Sequence, residues 1–284
     1  MTIDRASFLR DGFAVVKSVL SGDEIATYTA LARRCLGPQA EDSYRQRHMS
    51  IGSLFDILAE PGFVDLIAHR GIDDVFQCLH FDDPYFQHGI VFNKLPHTPR
   101  TFWHQDGTIW SHPAAYGDAP HDVIVIYYLC NTGPHNGCLR VIPGSHRHRH
   151  TLHDYLATAT TETLRAMVDP TSAAYQTMSD EVAVPVSAGD LVLIDARLLH
   201  AAHSNRSNDD RIALSLWYLP SYSQLPEPVQ ARFTGRAGPN DRLPYIPSSW
   251  PPEHVQRLRK YLPPTYDGTR DPLPMCNVPG PGLR

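Results

Sequence analysis

The sequence predicts a mainly β fold with flanking helices, built around a double-sheet jelly roll. Three observations carry that expectation. The first part of the chain is patterned for helices, with one short strand. From about residue 85 the pattern changes to runs rich in Val, Ile, Tyr, Phe and Leu, bounded by turn residues, as widely spaced antiparallel strands require. From Pro220 onward the chain carries 14 of its 25 Pro, which excludes regular helix or central strand throughout that segment.

Taken in order, residues 13–16 form a brief apolar run after Asp11-Gly12, an opening strand. Ser21 stands three residues before Glu24, the capping-box pattern, and Ile25, Leu31 and Ala32 continue at helical spacing until Gly37-Pro38. Phe63, Leu66, Ile67, Val75 and Phe76 predict one or two further helices within 61–79. Strands are expected at 85–95, 122–129, 138–142, 190–195 and 211–219. Pro96, Asn131-Thr132-Gly133-Pro134, Pro143-Gly144 and Ser187-Ala188-Gly189 mark the turns. Residues 155–178 read as a polar, partly helical insertion. In the tail, Tyr245, Trp250, Tyr261, Leu262 and Tyr266 argue for an irregular wrap packed on the barrel, with a short helix near 253–261. Residues 1–284 thus read as one domain: a mostly helical part at 1–80, a jelly-roll core at 85–219 and a Pro-rich wrap at 220–284.

Bulk composition narrows the function. With 25 Lys+Arg against 30 Asp+Glu the net charge is −5, and no basic block suggests a nucleic-acid groove or a polybasic membrane patch. The short run Ser145-His146-Arg147-His148-Arg149-His150 reads as a solvated loop. The five Cys are odd in number and without CxxC spacing, which points to a reduced intracellular protein. The N-terminus has no apolar signal-peptide core, and no apolar run is long enough to span a bilayer. A cytoplasmic monomer or homodimer acting on a small-molecule substrate is expected, with neither nucleic acid nor membrane as partner.

The chemistry is carried by two segments almost a hundred residues apart. Two His and one carboxylate on one face of a ferrous ion leave coordination positions open for oxygen chemistry. A lone His-x-Asp is weak, and the chain holds two, His80-Phe81-Asp82 and His104-Gln105-Asp106. The second follows a strand-like run and a short loop, so its side chains can project into a barrel mouth. The first sits at a helix end beside Asp83-Pro84. After the run at 190–195 come two candidates for the distal His, His200 and His203. Arg211 then opens the next strand. A hairpin would return it to the same barrel end, where a guanidinium can hold a carboxylate bidentately.

At these residues the chain resembles the phytanoyl-CoA dioxygenase family of iron(II)/2-oxoglutarate oxygenases. The matching motifs are His104-Gln105-Asp106, the segment Asn136-Gly137-Cys138-Leu139-Arg140-Val141-Ile142-Pro143-Gly144-Ser145-His146, and His200 followed by Asn205, Ser207 and Arg211. Asp11-Gly12-Phe13-Ala14-Val15-Val16 with Leu20-Ser21 resembles the family's opening, so the likeness spans about residues 7–219. The resemblance implies a double-stranded β-helix (cupin-like jelly-roll) core and Fe(II) held by His104, Asp106 and His200. It implies 2-oxoglutarate held partly by Arg211, and O2 as the other co-substrate. His146 belongs to the Pro-Gly-Ser-His turn and is not a ligand in this pattern. Many members carry a Trp where this chain has Ile126, Tyr127 and Tyr128, so Asn93 and Gln87 become candidates for further cofactor contacts.

The implied reaction is hydroxylation of an unactivated C–H bond with release of succinate and CO2. The substrate expected is a small polar or anionic metabolite or natural-product intermediate. Asp106 fills the place that Gly or Ala takes in related halogenases, which disfavours halogenation. Desaturation, cyclisation and bond cleavage use the same iron site. Trp110, His112, Tyr127 and Arg140 are the substrate-contact candidates, with Trp103, His121 and Trp217 as further pocket candidates. No basic cluster for an acyl-CoA is present. Two readings from other classes stand beside the oxygenase. One is a jelly-roll sensor that binds metal and ketoacid without turnover. The other is a metal-free cupin-type isomerase with His104 or His200 as general base.

Overall fold

The computed structural model describes residues 3–37, 48–157, 161–234, 246–262, 266, 268, 269, 271–280, 282 and 283. Pro38 of the expected helix stop and Tyr245 of the expected wrap lie outside the described residues. Helix α1 (Arg5–Asp11) starts where the Asp4 carboxylate accepts the Ala6 and Ser7 N–H groups, and ends at Gly12, whose φ of 81° a side chain would disfavour. Strand β1 (Phe13–Val16) follows. Helix α2 (Gly22–Leu36) carries both halves of the capping box. Ser21 Oγ accepts the Glu24 N–H at 3.3 Å, and Glu24 Oε2 accepts the Ser21 N–H at 2.8 Å.

The region 61–79 holds α3 (Val64–Ile67) and α4 (Arg70–Cys78), as its spacing predicts. Five expected strands appear as β3 (Tyr85–Lys94), β5 (Val123–Tyr128), β6 (Leu139–Val141), β8 (Leu191–Asp195) and β10 (Arg211–Leu219). Four more escaped the sequence reading: β2 (Ser53–Asp56), β4 (Thr101–His104), β7 (Val182–Val184) and β9 (His200–Ala202). None exceeds four residues, too short for a period to show. Helix α5 (Thr151–Leu156) runs into the expected insertion, and α6 (Thr161–Arg165) lies inside it. Beyond β10 lie α7 (Glu227–Thr234) and α8 (Pro252–Leu258), the latter within the helix expected near 253–261.

The strands form two antiparallel sheets, one of six in the order β1-β8-β5-β10-β3-β2 and one of four in the order β4-β9-β6-β7. Their facing inner sides make the jelly roll. Strand alternation divides β5 sharply. Val123, Val125 and Tyr127 pack outward with Leu31, Phe63 and Phe76 of the helical layer, while Ile124, Ile126 and Tyr128 point inward toward Leu139 and Val141. With both faces covered, every residue of β5 and β10 is buried, so β5 reads as an unbroken apolar run and β10 as one broken by Ser215 after its opening Arg211.

The hairpin expected to return Arg211 is not what the chain does. β9 lies in the small sheet and β10 in the large one, so the connection crosses between sheets. Asn205, fully buried, shapes that crossing. Its Nδ2 donates to the Lys94 carbonyl at 2.9 Å and the Asp209 carbonyl at 2.8 Å, and its Oδ1 accepts the Ser207 N–H and hydroxyl. Arg211 therefore starts β10 opposite Lys94 of β3. Among the described residues no helix is long and apolar enough to cross a membrane.

Candidate active site

His104 ends β4 and His200 opens β9, and the two are register partners across the small sheet. Their ring centroids stand 4.1 Å apart. Each ring is steered by main chain: His104 Nδ1 lies 2.9 Å from the Phe102 carbonyl, and His200 Nδ1 lies 2.9 Å from the Leu198 carbonyl. A ring nitrogen facing a carbonyl must carry the proton, which leaves each Nε2 with its lone pair. Burial, followed by the neighbouring His104, pushes the His200 pKa down to about 4, so its ring is neutral at pH 7 and ready to ligate. Asp106 follows β4 in a turn whose Asp106 and Gly107 N–H groups both donate to the Ala196 carbonyl, at 2.7 and 2.9 Å. Its Oδ2 is 3.8 Å from His200 Nε2. One donor atom from each of His104, Asp106 and His200 lies within 4.8 Å of the others, and this is the metal-capable group among the described residues.

Two neighbouring devices hold these segments. Ser145 Oγ accepts the Leu199 N–H at 2.9 Å, immediately before His200, and His146 Nε2 lies 3.1 Å from the Leu9 carbonyl of α1. The Pro-Gly-Ser-His turn is thus a clasp. On the other side, Ala196 sits between Asp195 and Arg197, a buried pair joined through both carboxylate oxygens. Arg197 also donates to the Ala115 and Gly117 carbonyls at 2.7 Å each.

The three groups open into a cavity of about 340 Å³ between the sheets, which Arg211 also lines. Arg211 is 8% exposed, and its Nε is buried without a hydrogen-bond partner. Its guanidinium carbon stands 5.9 Å from the centre of the Tyr128 ring, and no described carboxylate lies within ion-pair distance. A buried cation facing a cavity without a counter-charge is costly unless an anion completes it.

The family model of the phytanoyl-CoA dioxygenases matches residues 8–213. The chain belongs to the phytanoyl-CoA dioxygenase family. It is 28% identical over 236 residues to the ectoine dioxygenase of Sphingopyxis alaskensis, covering 78% of this chain and 77% of that one. The structure of EctD from S. alaskensis with 2-oxoglutarate and 5-hydroxyectoine superposes with a TM-score of 0.54 at 23% identity, over 77% of this chain and 75% of that one. The epimerase SnoN from nogalamycin biosynthesis, solved with Fe3+, alpha ketoglutarate and nogalamycin RO, gives a TM-score of 0.56 at 22% identity, over 76% and 81% of the two chains. As a phytanoyl-CoA dioxygenase family member, the chain is a non-haem iron dioxygenase that uses 2-oxoglutarate and O2.

The residues present fit those groups. Two imidazole donors and one carboxylate are the donor set of a ferrous facial site, and the unpartnered Arg211 Nε suits a dicarboxylate's far end.

Several residues singled out from sequence lie elsewhere. Tyr127 faces the helical layer, because it shares parity with Val123 and Val125, and its ring meets His69 edge-on at 6.2 Å. Asn93 is placed on the outward row with Val91, whereas Ile90 and Phe92 line the cavity. Gln87 falls where β3 bulges against β10 and donates to Asp122 Oδ1 at 2.8 Å. Arg140 is fully buried, paired with Glu181 at 3.0 Å and lying 4.5 Å over the Trp103 ring. Trp110 packs in a separate cluster with Ile109 and Val229. His112 caps the 3-10 turn Pro113–Tyr116 by accepting the Ala114 N–H. His121 is buried, and burial drops its pKa to about 3. Of the further candidates, Trp217 does line the cavity and stacks on His88 at 4.3 Å.

His203 lies outside the metal-capable group, and its N–H donates to the Cys138 carbonyl. Sequence reasoning missed Tyr128, Ser215, Thr101 and Arg165, all cavity-lining. The inward parity of β5, set by Ile124 and Ile126, was the available signal for Tyr128.

The Tyr127 hydroxyl is buried without a partner. Tyr127→Phe is therefore expected to stabilise the fold by about 1 kcal/mol and to leave activity unchanged. Thermal melts and succinate assays on the variant check both halves, and a lost activity would restore Tyr127 to the site.

Proposed function

We propose that residues 1–284 act as a single dioxygenase domain that hydroxylates an unactivated C–H bond of a small metabolite or natural-product intermediate carrying a polar or anionic group. His104, Asp106 and His200 would hold Fe(II), and Arg211 the far carboxylate of 2-oxoglutarate. The observation that supports this most directly is the convergence of the three donors in the same cavity as a buried, uncompensated Arg211. When bound, Fe(II) and 2-oxoglutarate supply O2 activation, with succinate and CO2 as the co-substrate's products.

The chain's own part is positional. The Phe102 and Leu198 carbonyls hold both rings by Nδ1, so that each Nε2 would be free to ligate the ion. The Ala196 carbonyl fixes the Asp106 turn. Ile90, Ile124 and Ile126 keep one wall of the cavity apolar and limit water there. No observation favours the sensor or the isomerase.

The test is succinate release by purified protein with Fe(II), 2-oxoglutarate and a panel of small metabolites. Arg211→Met is expected to raise the KM for 2-oxoglutarate by about a hundredfold while sparing iron content. Product formation that persists after exhaustive chelation would sink the proposal.

A further inference from the structure

We propose that Arg165 anchors an anionic group of the substrate, and that the substrate is a monoanion with an apolar body. This rests on the dioxygenase reading of the cavity. Arg165 closes α6 and, from an exposed position, lines the same cavity as the three donors and Arg211. Its backbone is fixed. The Arg165 carbonyl accepts both the N–H and the hydroxyl of Ser50 at 3.2 Å, and Ser50 is fully buried. The preceding Leu164 carbonyl accepts the Ser50 and Tyr175 hydroxyls at 3.0 and 2.5 Å. Leu164 packs in one cluster with Phe102, whose ring is 5.0 Å from that of His104. The backbone that carries the cation is therefore fixed relative to the metal donors, while the exposed side chain is free to swing to a ligand.

Charge decides what it is for. Asp106 is the one carboxylate among the described residues lining the cavity, against two guanidinium groups. A divalent ion offsets Asp106 with one charge to spare. That charge and Arg211 together match the two carboxylates of 2-oxoglutarate. Arg165 is left over, and no described carboxylate lies within ion-pair distance of it. Without substrate, water solvates this exposed guanidinium, and an anionic substrate group entering there would pair with it.

The walls decide the rest of the molecule. Ile51, Leu54, Ile90, Phe92, Ile124 and Trp217 give the cavity an apolar lining. Its 340 Å³ lies near the bottom of the range for small-molecule sites, about 300–1,000 Å³, and it must also take the co-substrate. A substrate body thus extends to the rim. Four of the five large exposed hydrophobic side chains among the described residues, Met49, Val168, Met275 and Val278, stand within three positions of the lining residues Ile51, Arg165 and Asn277.

The test uses full-length protein loaded with Mn(II) and 2-oxoglutarate, titrated with decanoate and with decanamide, and read by calorimetry. Decanoate is expected to bind about tenfold tighter than the amide. Arg165→Gln is expected to abolish that preference at unchanged 2-oxoglutarate affinity, and Arg165→Lys to retain most of it. Equal binding of the two probes, no binding of decanoate, or a preference that survives in Arg165→Gln overturns the proposal. Failure of 2-oxoglutarate to bind with Mn(II) would instead overturn the dioxygenase reading beneath it.

Discussion

Alanine at His200 or Asp106 is expected to cut succinate formation by more than about a hundredfold and to leave the purified protein without bound iron. The bound follows from scale. Losing a group that merely orients a ligand costs about 10–100-fold in metal affinity or activity, so losing the ligand itself must cost more. Both side chains are positioned by contacts that alanine leaves intact. The Ala196 carbonyl still takes the Asp106 and Gly107 N–H groups, and β9 still pairs with β4 and β6. The variants should accordingly stay folded, which circular dichroism checks. Iron content by elemental analysis and succinate by mass spectrometry are the readouts. A folded Asp106→Ala protein with normal iron and turnover would remove the carboxylate from the proposed site.

Asp195→Ala is expected to cost about 3–5 kcal/mol, because it strands the Arg197 guanidinium without its counter-ion. Asp195 is 2% exposed and Arg197 fully buried, so water cannot take over the charge. For a chain of this size the melting temperature should fall by roughly 10 °C. Burial works to raise the Asp195 pKa, but the Arg197 charge and hydrogen bonds outweigh it and hold the carboxyl below its ordinary value. A depressed folded pKa stabilises fully above the unfolded value and is lost as pH falls through the folded one. The native protein should thus lose this contribution only below the usual carboxylate range, and Asp195→Ala should lack that acid-dependent limb. Because Ala196 lies between the pair and carries the Asp106 turn, iron affinity should drop as well. Melts from pH 2 to 7 on both proteins, with iron titrations at neutral pH, measure each effect, and an unchanged melting temperature at pH 7 would contradict it.

The long strands and the α2 cap were legible because each writes its own local pattern: Ser21 to Glu24, the apolar run of β5, Arg211 at the head of β10. The family motifs were legible for a related reason. Asn205 and Ser207 bond to each other and to nearby backbone in a tight crossing, and Ser145 and His146 clasp the Leu199 and Leu9 backbone, so each position constrains residue type at fixed spacing. β4 and β9 were not legible, since three or four residues hold no period and their pairing joins chain positions far apart. Substrate-side residues failed for a geometric reason. An all-apolar strand buried on both faces does not say which parity looks inward, so the sequence points to Tyr127 where Tyr128 lines the cavity. Arg165 gave no signal, because its backbone is placed at the cavity by Ser50, over a hundred positions away.

The rings of His104 and His200 are aimed by main-chain oxygens, not by neighbouring side chains. Every chain position has such an oxygen whatever residue it bears. The cavity wall can therefore be rewritten, one position after another, for a new guest without turning either imidazole. Selection is free to change what is oxidised while the means of oxidising it stays put.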